Sequence, residues 1–159
     1  PRGYYPRRFE KNIHEFKYHL DEVRDYDQEG HRVYWEEGKK SEVLPPIAQD
    51  MLSAFYYYRC LEDFSAGDEV SFWANTGRKN YELKVRPTGK KRVKTRAGAF
   101  DCLVIKPKAL FEGFFVEKGE LTIYMTDDER RIPVKVVGKA PVVGSVVVQL
   151  VDAVLPELK

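Results

Sequence analysis

Apolar positions along this chain recur with two periods. Most of the chain follows a period of two, the mark of strands with one covered face. Phe16, Tyr18 and Leu20 alternate with Lys17, His19 and Asp21, and Arg32–Trp35 reads as the return strand after the turn residues Asp25–Gly30. Residues 15–36 therefore predict a hairpin, preceded by an irregular or edge segment over Pro1–Glu10 and followed by a charged loop at Glu37–Ser41. Further on, Val70, Phe72 and Ala74 mark one strand and Tyr81, Leu83 and Val85 the next, with turns expected at 75–78 and 87–90. Arg92–Thr95 reads as a short charged strand, and Phe100–Ile105, almost wholly apolar, as a central strand covered on both sides. Leu110–Glu117 and Glu120–Met125 are expected to flank a turn at 117–119. Asp127–Arg131 forms the next turn, Ile132–Val137 the next strand, and the last strand falls within Pro141–Leu150.

One stretch departs from this rhythm. In Leu44–Phe64 the apolar residues Ile47, Met51, Leu52, Phe55, Tyr58 and Leu61 are spaced by threes and fours. That spacing predicts a helix over about residues 46–62, with Pro45 and Pro46 at its start and Gly67 past its end. Tyr56–Tyr58 cover most of a helix circumference, so at least one must leave the main stripe. Strands at about ten-residue intervals around one helix predict a mainly β fold. It is an antiparallel meander curled into an open barrel or half-barrel around the central helix, as a single β-rich domain over 1–159.

Composition narrows the class. The chain has 159 residues, 43% of them hydrophobic and 13% aromatic, which suits a globular domain with a sizeable core. The formal net charge is +2 with both signs interspersed, so no nucleic-acid or membrane reading follows from charge. No apolar run approaches the roughly 18 residues needed to span a bilayer as a helix. Cys60 and Cys102 lie in apolar surroundings and are either two buried thiols or one disulfide of an oxidising compartment.

Three blocks resemble a family of bacterial exported proteins known as domain-of-unknown-function family 3108. Asp50-Met51-Leu52-Ser53-Ala54-Phe55-Tyr56-Tyr57-Tyr58-Arg59 is similar to its D-x-L-S-A-[FL]-Y-[YF]-x-R helix. Thr95–Asp101, with Gly98-Ala99-Phe100, is similar to its T-x-x-G-x-F approach to a central strand. Ile123–Asp128, then Arg131–Val134 and Gly144-Ser145-Val146, is similar to its W-x-[ST]-D-D-x-x-R-x-P-V ending, with Tyr124 in place of the usual tryptophan. The resemblance covers about residues 4–150. It implies a periplasmic or outer-membrane-associated protein with a barrel-like antiparallel fold, whose members usually carry a signal peptide and further strands before the region seen here. It implies no activity.

The chemistry-bearing residues are sparse. Asp127 and Asp128 are adjacent carboxylates that can serve acid–base work, yet neighbours on a strand point opposite ways and the segment reads as a turn neutralised by Arg130 and Arg131. His14, His19 and His31 are the only histidines; they are expected to be exposed on the first hairpin, against an alternative in which His19 and His31 approach across it without a third ligand. Ser53 has no histidine near it in sequence, there is no G-x-S-x-G, and no glycine-rich loop precedes a helix. Asp50 and Arg59 flank the helix, and Arg59 is expected to pair with Asp127 or Asp128. No metal and no cofactor is expected.

The leading functional expectation is a non-catalytic binding module for an apolar or amphipathic ligand such as a lipid, held between helix and sheet; a plain core filled by side chains is the equal alternative for that space. Its candidate lining is Phe55, Tyr56, Tyr58, Phe72, Phe100, Phe114 and Tyr124. The alternatives are a hydrolase built on Asp127/Asp128 and a scaffold that pairs a sheet edge with another envelope protein.

Overall fold

The computed structural model describes residues 4–61, 68–76, 79–111, 114–115, 120–140 and 144–154. Within them lie thirteen strands and one short helix. The chain divides into two compact units, Pro1–Leu61 with Phe72–Leu83 and Glu62–Ser71 with Lys84–Lys159. The fold is mainly β with antiparallel sheets, and no closed barrel forms among the described residues.

The first unit opens with a four-stranded antiparallel meander: β1 (Arg8–Glu15), β2 (Tyr18–Asp27), β3 (Arg32–Trp35) and β4 (Lys40–Val43). The first hairpin thus begins earlier than the alternation suggested, and the edge alternative holds for Arg8–Glu10, which open the edge strand β1. Phe16 sits in the turn with φ +48° and is fully exposed, so it starts no strand. All three histidines are exposed, as expected; register sets His14 opposite His19, whereas His31 falls in the β2–β3 turn, so the alternative approach of His19 and His31 does not occur. The charged loop shortens to Glu36–Lys39, with positive φ at Glu36, Glu37 and Gly38, and β4 takes up Lys40 and Ser41. Tyr26, Val33, Leu44 and Ala48 form the core, with Phe9 and Trp35 packed against it. Val33 and Leu44 are almost wholly enclosed, and a buried side chain of this size contributes roughly 1.5–3 kcal/mol.

The helix is much shorter than its apolar period implied: α1 spans Ser53–Arg59, about two turns. Two local effects stop it from starting at Pro45. A residue before proline is pushed out of the helical region, which applies to Leu44 and to Pro45. Ile47 then takes φ +57°, a left-handed conformation that costs a β-branched residue roughly 1–2 kcal/mol. The stretch instead turns at Pro46–Ile47 and meets β5 (Val70–Asn75) in a single parallel bridge at Gln49. The Gln49 N–H donates to the Trp73 carbonyl at 2.8 Å, and the Asn75 N–H donates to the Gln49 carbonyl at 2.7 Å. Gln49 is fully buried, and its amide donates to the carbonyls of Tyr4 and Ile47. β6 (Asn80–Val85) neighbours β5. Asn75, also fully buried, donates to Asn80 Oδ1, and Asn80 donates to the Val43 carbonyl. The end of the expected helix and Gly67 lie outside the described residues.

The second unit centres on a five-stranded antiparallel sheet. Its strands are β7 (Pro87–Thr95), β8 (Gly98–Ile105), β11 (Glu120–Thr126), β12 (Pro133–Ala140) and β13 (Gly144–Gln149), ordered β13-β12-β11-β8-β7. Between β8 and β11 the chain makes a small hairpin, β9 (Lys108–Phe111) and β10 (Phe114–Phe115), where one strand over 110–117 was expected. The turn expected at 117–119 lies outside the described residues. The turn expected at 87–90 is absent. Those residues already pair with β8, and Thr88 is the extra residue of a bulge. β8 is buried on both faces through Cys102, Leu103 and Ile105, as its continuous apolar run required. Gly98 opens it with φ +131°, a conformation L-residues rarely adopt, after the two-residue loop Arg96–Ala97.

The sheet's two edges differ. β7 exposes Lys90, Lys91, Arg92 and Lys94, whereas all six residues of β13 are exposed, among them Val146, Val147 and Val148. β7 and β12 come within 8 Å between Cα atoms although two strands separate them, so the sheet curls. Side chains fill that curl: Val93, Cys102 and Val134 form its core, with Phe100, Tyr124, Ile132 and Leu150 against it.

Candidate functional site

The residues with the strongest sequence signal are those that start α1. Asp50 Oδ1 accepts the N–H groups of Leu52 at 2.7 Å and Ser53 at 2.8 Å, and Ser53 Oγ accepts the Asp50 N–H at 2.8 Å. The two side chains satisfy each other's backbone donors, which is a capping box with aspartate first and serine three residues on. The Ala54 N–H reaches the Asp50 carbonyl at 3.1 Å, so helical bonding begins here. The D-x-x-S part of the motif is thus explained by helix initiation. The capping pattern was readable from sequence, and it would have placed Met51 and Leu52 in the first turn.

That start fixes the direction of every side chain that follows. Tyr58 is buried, and the Tyr57 ring lies 5.1 Å from that of Phe72 at 56°. Tyr56 points outward, 59% exposed, with the Arg59 guanidinium 5.9 Å from its ring. Phe55 is half-buried, while Met51 at 52% and Leu52 at 64% lie open. Tyr58 is the one residue of α1 that is fully buried, so the helix is not an enclosed central element. The exposed trio Met51, Leu52 and Tyr56 forms a candidate surface that the sequence reading missed in part, because it assigned Met51 and Leu52 to the buried stripe.

The other candidate lining residues go elsewhere. Phe72 is buried in β5, and Phe100 and Tyr124 pack on the Val93–Cys102–Val134 core of the second unit. Phe114 lies in β10, and its side chain is outside the described residues.

Asp127 and Asp128 occupy the β11–β12 turn, as expected. Asp127 pairs with Lys90 at 2.6 Å. Asp128 Oδ1 accepts from Thr126 Oγ1 at 2.7 Å and from the N–H groups of Arg130 at 3.1 Å and Arg131 at 3.2 Å, while Oδ2 accepts from the Arg130 guanidinium. Partial burial alone would raise the Asp128 carboxyl. The hydrogen bonds from Thr126 and Arg130, and the Arg130 charge, hold it below the ordinary carboxylate value. Thr126 Oγ1 also accepts the Ile132 N–H at 2.8 Å, which closes the loop. Asp128 is therefore committed as a turn cap. The four polar residues expected as one network show local bonds of their own: Asp50 to α1, Arg59 over Tyr56, Asp127 to Lys90, and Asp128 to its turn.

Both cysteines are free. Cys60 is exposed, contrary to the burial its apolar neighbours suggested, because it caps the far end of a short helix. Cys102 is buried, and that burial, with Asp101, Asp127 and Asp128 nearby, pushes its thiol up to about 11. No helix among the described residues is long and apolar enough to cross a membrane.

No curated protein and no solved structure matches this chain. The family described as "Protein of unknown function (DUF3108)" matches over residues 1–151, and with nearly the whole sequence covered the chain belongs to that family.

Proposed function

We propose that this is an exported cell-envelope protein that works as a non-catalytic binding module for an amphipathic ligand of the lipid class. The observation that carries the reading is the open apolar surface where α1 begins. Met51 and Leu52, in the turn that leads into the helix, and Tyr56, on it, are each more than half exposed, and the Asp50–Ser53 bonds fix that turn. Exposed apolar patches mark interaction sites more often than chance, and an aromatic ring with a polar tip beside a cation suits the interface between hydrocarbon and headgroup. Arg59 above Tyr56 supplies that cation. In this reading the ligand lies along the helix surface, since Tyr58 and Phe72 are buried in the first unit, Phe100 and Tyr124 pack on the core of the second, and Tyr56 faces outward.

The test uses vesicles of phosphatidylethanolamine and phosphatidylglycerol. The protein is expected to float with them, and Leu52→Glu with Tyr56→Glu to remain at the bottom of the gradient. Equal flotation of both proteins, or no flotation of the unaltered one, overturns the reading. A second reading, strand pairing with another envelope protein, is favoured by the exposed valine edge β13. It predicts that Val147→Lys abolishes partner capture and leaves flotation unchanged. Export itself is checked by fractionating the tagged full-length protein, which is expected to leave the cell with periplasmic markers and not with the cytosol.

A further inference from the structure

The β1–β2 hairpin carries a feature that a ligand-binding helix does not use. Among the described residues, 18–23 of β2 pair with β1, while β3 pairs with β2 over residues 24–27. The end of the hairpin is thus a two-stranded arm. One face of it sets His14 directly opposite His19, with ring centroids 5.1 Å apart and planes at 77°. Asp21, two residues beyond His19 and so on the same face, places Oδ1 3.0 Å from His14 Nε2. The side chains of His14 and Asp21 are 60% and 64% exposed, so an ion reaches them freely.

We propose that His14 and His19 form a clip for one divalent cation of the zinc, nickel or copper class. Directly opposed residues on one face of an antiparallel pair bring their Cβ atoms to about 5 Å, so rotation of the side chains alone can turn two imidazoles there onto one ion. Nitrogens bound at about 2 Å to one tetrahedral ion put their rings about 5 Å apart. That is the separation seen here before any ion binds. Asp21 acts as the positioning residue. Its carboxylate fixes the His14 ring through Nε2, as carboxylates do behind metal-bound histidines, and leaves Nδ1 for the ion. Among the described residues no group of three or more His, Cys, Asp and Glu side chains is placed to hold a metal, so the clip supplies two nitrogens and water completes the shell. Imidazole pairs take borderline-soft ions and reject magnesium and calcium, which want oxygen. A bound ion would cross-link the two strands of the arm.

Calorimetric titration with zinc chloride, alongside amide exchange, tests this. One saturable equivalent is expected, with slower exchange over residues 12–21. His14→Ala and His19→Ala should each abolish the saturable phase. Asp21→Asn should weaken it roughly tenfold, and His31→Ala should leave it unchanged. Circular dichroism confirms that these surface variants stay folded. Saturable binding that survives both histidine variants overturns the clip, as does its absence in the unaltered protein or an equal response to magnesium.

Discussion

Asp50 and Asp128 perform the same local task in different surroundings. Each accepts two backbone N–H groups through a single Oδ1, and each is joined by a hydroxyl residue, Ser53 for the first and Thr126 for the second. Asp50 is 5% exposed and starts a helix. Asp128 lies in a surface turn with the Arg130 guanidinium 3.1 Å away. The bonds at Asp50 are part-buried and water replaces them less readily if the carboxylate is lost, whereas those at Asp128 are exposed and water replaces them at once. Sequence alone gives both residues the same appearance, a short acidic side chain two or three positions before polar backbone. Burial decides how much each one matters.

Removing the buried cap should have the larger effect. Asp50→Ala is expected to cost about 1–3 kcal/mol in urea unfolding, since it removes a helix cap whose carboxylate is itself buried and frees the reciprocal serine. Asp50→Asn, which keeps an acceptor, should recover most of this. A loss below about 0.5 kcal/mol for the alanine variant would break the comparison. Asp128→Ala comes second, at about 1 kcal/mol or less, because solvent replaces the lost bonds.

The smallest effect concerns pH. The Asp128 carboxyl sits below its ordinary value when folded, so on acidification the unfolded chain takes up this proton first. Its contribution is complete above the ordinary carboxylate value and disappears as pH falls through the depressed one. Asp128→Asn should therefore be less stable than the unaltered protein at neutral pH, with the gap closing under acid. A gap that stays constant between pH 7 and pH 2 would show that the charge contributes nothing.

Most strands were legible because alternation is dictated by the pleat. β8 was legible for the opposite reason: its unbroken apolar run calls for an interior strand, and it lies between β7 and β11 with Cys102, Leu103 and Ile105 buried. The helix was legible in kind and not in length. Ile47 and Leu61 fit the helical period, yet the period carries no information about Ile47 turning left-handed or about Gln49 joining β5. Thr88 was misread as a turn because Pro, Thr and Gly also suit a bulge at a strand start. For the candidate surface, Tyr56 was named from sequence, while Met51 and Leu52 were hidden by the same periodicity that found the helix. The pairing of His14 with His19 depends on the position of a two-residue turn at Phe16–Lys17, and neither residue is a customary turn former.

The two thiols give the chain a built-in reporter. Cys60 is open to reagents at the end of α1, and Cys102 is enclosed with its thiolate strongly disfavoured at neutral pH. A maleimide or a disulfide reagent therefore meets one reactive site on the folded molecule and two on the unfolded one. The stoichiometry of labelling counts whether the second unit is closed, without an introduced residue. A fluorophore placed by this route lands on Cys60 alone, one residue past the helix that carries the proposed lipid surface.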